Sequence, residues 1–150
     1  MMRKAAEVRS EDYQALGIVA MILRKLGRHE EAKQVAFESL NRIERWLDIN
    51  PRDPRALYLG GLRQVELGSG EKGRPWVERA LAIAPDDAFA LYNAACFYSL
   101  LGEPERALDL LEKMVLTDQA GTSKDWMTND PDLDPLRALP RFRAILDRLP

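Results

Sequence analysis

The chain has one cysteine and one histidine in 150 residues. With no second thiol, Cys96 cannot form an internal disulfide, which fits a reducing compartment. Long apolar runs are missing too. The longest, Ile18 to Leu23, is far below the roughly 18 residues that cross a bilayer. The start, Met1-Met2-Arg3-Lys4, leads into charged residues and not into a hydrophobic signal segment. Nor is there an excess of basic charge: 22 Lys and Arg face 24 Asp and Glu, a formal net charge of −2. Nucleic-acid binding needs a basic surface that displaces counterions, so this balance argues against it. What remains is ordinary for a folded chain, with 46% hydrophobic and 31% charged residues, enough for one compact domain with a sizeable core. A soluble, intracellular, cytoplasmic protein is expected, with no membrane or nucleic-acid partner. The doubled initiator methionine reads as a trimmed boundary, so further native sequence is expected beyond this chain.

What is present is a repeat. Leu-Gly steps occur at Leu26-Gly27, Leu67-Gly68 and Leu101-Gly102, separated by 41 and 34 residues. A period of this size means stacked helical pairs, because one pair alone cannot bury its apolar face. The series Leu91, Ala94, Ala95, Tyr98, Gly102, Ala107 and Leu111 resembles a tetratricopeptide repeat. So does Leu57, Gly61, Gly68, Ala80 and Pro85. The resemblance implies an all-α superhelical fold, with three helix-turn-helix pairs over 11–118, a tail over 1–10 and a C-terminal cap over 119–150. The cap sequence, Trp126 to Leu146 with Asp130-Pro131-Asp132-Leu133-Asp134-Pro135 inside it, resembles the closing segment of such arrays in bacterial signalling proteins.

Local signals place the helices. Ser10 is a candidate cap for a first helix over about 11–26, where Leu16, Val19, Ala20, Leu23 and Leu26 recur at helical spacing. A second helix should run unbroken over about 29–49. Its stop, Pro51, comes 24 residues after Gly27, against 17 for Pro85 after Gly68. The surplus of seven is two turns, so the apolar stripe continues in phase. Asp53 and Pro54 open the third helix. The Gly68 to Pro75 stretch delays the fourth to about 72–74, ending near Ala84, because proline deep in a helix forfeits a hydrogen bond. Asp86-Asp87 and Pro104 open the fifth and sixth. Beyond Thr117, Gly121-Thr122-Ser123 reads as a turn, Trp126 as an anchor and Pro140 to Leu146 as a last short helix.

No constellation here is catalytic. His29 lies at a turn and Cys96 in a helix two repeats on, which separates nucleophile from base. Asp130, Asp132 and Asp134 begin with calcium-loop spacing, but Pro135 and Arg141 stand where such a loop needs glycine and a bidentate glutamate. These aspartates read as helix caps, and no metal or cofactor is expected. The Gly68 to Pro75 loop lacks the Gly-Lys-Ser/Thr and preceding strand of a phosphate loop.

The resemblance places the first helix of each pair on a concave face. That assigns Gln14, Gly17, Met21 and Arg24 to it from the first pair, then Arg55, Tyr58, Leu62 and Val65, then Phe89, Tyr92, Asn93, Cys96 and Ser99. Met21, Leu59 and Phe89 stand where a carboxylate clamp would need Lys and Asn, which rejects a clamp. A non-catalytic scaffold is therefore expected, binding a helical or extended apolar peptide through Met21, Tyr58, Leu62, Phe89, Tyr92, Asn93 and Cys96. Three alternatives stay open: cover by the long second helix or the cap, self-association into a homo-oligomer, and a regulatory module of a larger bacterial signalling protein.

Overall fold

The structure, a computed structural model, describes residues 10–117 and 123–150. The tail over 1–9 and the Gly121-Thr122 turn lie outside these. The described elements are all helical: α1 Ser10–Lys25, α2 His29–Ile49, α3 Pro54–Glu66, α4 Gly70–Ile83, α5 Ala88–Leu101, α6 Pro104–Thr117, α7 Lys124–Asn129, a 3-10 turn over Pro131–Leu136, and α8 Pro140–Asp147. This is the expected all-α, tetratricopeptide-like architecture of consecutive helical pairs. The chain divides into two compact units, 1–80 and 81–150.

In the first unit α1 packs on α2, α2 on α3, and α1 on α3. Tyr13, Gly17 and Ala20 form the buried edge of α1, and Ala32, Ala36, Ser39 and Ile43 that of α2. Gly27 and Gly68 close the first helices of the two pairs in left-handed backbone, φ 80° and 85°, which a side chain would strain. The long helix is unbroken from His29 to Ile49, so the seven extra residues were added in phase. Asp53 caps α3 as expected, its carboxylate accepting the backbone N–H groups of Arg55 and Ala56. Its other oxygen accepts the Trp46 indole N–H at 2.7 Å, which ties the end of α2 to the start of α3.

Two expectations at helix starts are corrected here. Ser10 is itself helical within the described α1 and not a cap before it. The fourth helix begins at Gly70, with Pro75 inside it. The buried row Gly73, Val77, Ala80 explains the earlier start. It runs one full turn ahead of Val77, and that burial outweighs the single hydrogen bond that Pro75 cannot donate. Pro75 itself is exposed. Gly60 of α3 has a packing reason, since a Cβ there would stand 2.5 Å from the Trp76 ring and 3.1 Å from the Ile43 methyl. The indole lies on bare backbone.

In the second unit α5 is buried almost all round, from Ala88 to Ser99, between α6 on one side and the 3-10 turn on another. Asp87 caps it through the Phe89 N–H. Phe97 and Tyr98 meet edge to face at 5.1 Å, and the Arg106 guanidinium lies over the Tyr98 ring. The cap helix α8 sits on α6. Its Arg141 reaches three carboxylates of that helix, Glu105 at 2.8 Å, Asp109 at 2.7 Å and Glu112 at 2.7 Å. Phe142 is buried as expected. Trp126 is not an anchor, being 50% exposed. On the single-turn pitch of α7 the neighbouring Met127 takes the inward position and is fully buried.

Candidate functional site

In the first unit, the first-helix residues expected to meet a partner are occupied by a charge network. Gly17 lies beneath Arg63, and a Cβ there would fall 1.9 Å from Nη1. Arg63 pairs with Glu66 at 2.9 Å, and Arg24 reaches the same carboxylate at 3.3 Å. The side chains of Arg63 and Glu66 are only 6% and 4% exposed. Two arginines therefore share one buried carboxylate and join α1 to α3. Such a network is costly to break, because either partner alone would be a buried, uncompensated charge. Gly17 and Arg24 thus serve α1–α3 packing. Tyr58 and Leu62 of α3 are buried as well, and Met21 is half-buried.

The opposite side of α1 is different. Ala15, Ile18, Val19 and Ile22 are exposed, as is Leu26 just past the helix end. At 3.6 residues per turn these five fall within about 100° of arc, facing away from Tyr13, Gly17 and Ala20. Ile18, Val19, Ile22 and Leu26 are 46%, 43%, 48% and 64% exposed. A surface helix ordinarily carries one apolar stripe. This one carries two.

In the second unit the expected face of α5 is covered by the chain's own C-terminal segment. Tyr92, Cys96 and Ser99 form one row, at spacings of four and three. The Tyr92 hydroxyl donates to Asp130 Oδ2, and the Cys96 thiol donates to the same oxygen at 3.9 Å. Asp130 Oδ1 accepts the Asp132 N–H at 2.9 Å, while the Ser99 hydroxyl donates to the Asp132 carbonyl at 2.8 Å. Arg137 holds the same turn from outside, donating to the Asp130 carbonyl at 2.6 Å and pairing with Asp134 at 2.8 Å. Burial raises the pKa of the Tyr92 phenol, and the neighbouring Cys96 and Asp130 add to it. Burial first, then the Asp130 and Asp132 carboxylates, push the Cys96 thiol well above its ordinary value. Both groups stay protonated, and the thiol is not a nucleophile. The Cys96 sulfur and the Asp130 and Asp132 carboxylates lie within 4.8 Å of one another. Because Asp130 spends both oxygens on Tyr92, Cys96 and the Asp132 N–H, the arrangement is a closed hydrogen-bonded seam that fixes the cap. Only the start of α5 stays open. Phe89 is 56% exposed, and the half-buried Asn93 donates from its amide to the Phe89 carbonyl at 2.8 Å.

Of the seven residues expected to bind a partner, Tyr58, Leu62, Tyr92 and Cys96 are therefore buried, and Met21, Phe89 and Asn93 retain surface. The sequence reading placed Val19 and Leu26 in one apolar series with Leu16, Ala20 and Leu23; of these Ala20 is buried while Val19 and Leu26 are exposed, and the separate stripe they form with Ile18 and Ile22 was not read. His29 opens α2 and is exposed.

The fold and this surface define a helical-repeat protein with apolar helix faces and no activated nucleophile or base at the described site. Residues 13–45, which span α1 and most of α2, match the tetratricopeptide repeat family, and residues 76–109 match it separately. The mouse (Mus musculus) interferon-induced protein with tetratricopeptide repeats 3 is 26% identical over 146 residues, 97% of this chain and 33% of that protein. The chain thus spans about a third of the length of this relative. Two segments of the chain are therefore similar to tetratricopeptide repeats, and such repeats are generally a protein–protein interaction fold.

Proposed function

We propose that this protein is a non-catalytic scaffold that holds a helical or extended apolar segment of a partner protein on the open first-helix surfaces. The observation that carries this reading is the second apolar face of α1. Each residue of that stripe leaves hydrocarbon in water at about 25 cal/mol per Å², a cost that a docked segment removes. A partner helix with apolar residues at i, i+3, i+4 and i+7 matches the stripe formed by Ala15, Ile18, Val19, Ile22 and Leu26. Met21 borders it. In the second unit, taken by itself, Phe89 and Asn93 form a separate, smaller open surface. Helix pairs hold both surfaces before binding, so little ordering cost falls on the receptor side.

The same stripe favours one second reading. A face that is apolar along a helix axis is complementary to itself about a two-fold axis, so a second copy of the chain is the rival occupant. Light scattering across a concentration series separates the two. A mass that stays at one chain, together with partner binding that is lost on Ile22→Glu, supports the scaffold. A mass that doubles with concentration, and returns to one chain on Ile22→Glu, supports self-association as the module's function. Ile22→Glu with unchanged mass and unchanged partner binding removes the α1 face from both readings.

A further inference from the structure

The first unit holds a cleft of about 590 Å³ lined by Glu44, Leu47, Asp48 and Pro51 on one side, Leu57 at its floor, and Pro75, Trp76 and Arg79 on the other. Its origin is visible in the sequence. Had the proline followed Gly27 at the 17-residue interval seen between Gly68 and Pro85, it would stand at position 44 and α2, which ends two residues before Pro51, would have stopped near residue 42. The two added turns supply Glu44, Leu47 and Asp48 as a continuous wall. The opposite wall is fixed by Gly60, which lets the Trp76 ring lie on the α3 backbone, 2.5 Å from where a Cβ would be. The cleft is therefore a built feature, made by an insertion and a glycine.

Its chemistry is specific. Glu44 and Asp48 stand one helical turn apart on the same face of α2 and are exposed. Among the described residues no cation pairs with either, and Arg79 across the cleft has no carboxylate partner there. Between the charged rims lie Leu47, Leu57, Pro51, Pro75 and the half-buried Trp76. A cationic head between two carboxylates, with an aliphatic stem along an indole face, is how lysine and arginine side chains are held.

We propose that this cleft is a peptide-docking site for an extended segment bearing a basic side chain, seated against Trp76 with its charge between Glu44 and Asp48, while Arg79 takes an acidic group two residues along. It lies on a surface that the α1 reading does not use. The partner's chemistry follows from the charges: an Arg- or Lys-containing segment is attracted by the α2 rim, and the same segment with that residue neutralised is not.

The test uses the whole chain and two acetylated, amidated tetrapeptides, Leu-Arg-Leu-Asp and Leu-Gln-Leu-Asp, with the Trp76 indole N–H followed by NMR and assigned through Trp76→Phe. The expected result is a saturable Trp76 shift with the arginine peptide at millimolar concentration, and binding weaker by about fivefold with the glutamine peptide, as two exposed ion pairs would give. Glu44→Gln with Asp48→Asn should abolish that difference without altering the rest of the spectrum. Because both residues are exposed helix-surface positions, the double variant folds. No Trp76 shift with the arginine peptide, equal affinity for the two peptides, or a difference that survives the double substitution would each overturn the proposal. None of these outcomes touches the α1 face, whose test is separate.

Discussion

Tyr92→Phe isolates the bond that fastens the cap to α5. The ring is retained, so no cavity opens, and only the hydroxyl that donates to Asp130 is lost. Asp130 is 5% exposed and Tyr92 is 6% exposed, so water does not readily replace the missing donor. Oδ1 keeps the Asp132 N–H at 2.9 Å, and Oδ2 keeps the weak Cys96 S–H donor at 3.9 Å. A hydrogen bond to a charged group contributes about 1.5–3 kcal/mol, so the variant should lose about 2 kcal/mol. Urea unfolding measures it. In a double-mutant cycle with Asp130→Asn, the coupling should account for most of that loss. Cys96 gives an independent readout, because its buried thiol reacts only when the cap lifts, and Tyr92→Phe should label faster with a thiol reagent under native conditions. A loss below about 0.5 kcal/mol, the range of an ordinary surface substitution, with unchanged labelling, would refute the claim that this seam holds the cap.

Three further outcomes are expected. Gly17→Ala places a methyl 1.9 Å from Arg63 Nη1, which forces the guanidinium off Glu66; thermal unfolding should show a loss of about 2 kcal/mol even after the gain in helix propensity from replacing glycine. Phe142→Ala should cost about 3–4 kcal/mol by leaving a cavity under the cap, whereas Trp126→Ala should change stability by no more than about 0.5 kcal/mol, and comparable losses would contradict the placement of Met127 as the inward residue. Arg141 lowers the Glu112 carboxyl below its ordinary 4.5. The pair's contribution is therefore present above pH 4.5 and fades as pH falls through the lower folded value. The gap in melting temperature between the wild type and Arg141→Met should narrow below pH 4.5, and a gap independent of pH would remove the ion pair as its cause.

Helix order was legible because the signals that carry it are local. Pro54 and Pro104 at helix starts, the Leu-Gly steps and the in-phase surplus before Pro51 each act within a few residues, and each sits where it was read. The start of α4 was misread because Pro75 is a local signal and the burial of Gly73 is not. The site was less legible for the same reason. Tyr92, Cys96 and Ser99 look like a binding row from sequence, and they are one, but their occupant is Asp130 to Asp132 of the same chain, more than thirty residues away. Gly17 sits mid-helix in a position that alanine would favour, and that mismatch was the available sign of a close approach. Nothing local named Arg63 as the group that approaches.

The central claim is that the outer face of α1 receives a protein segment. A photo-crosslinking residue placed at Ile22, compared with the same residue at the exposed Lys33 of α2, tests it in the source cell. We expect a discrete adduct from position 22 and none from position 33, with an added mass different from that of the chain itself. The account would be contradicted by the absence of an adduct at position 22, or by the same adducts from both positions.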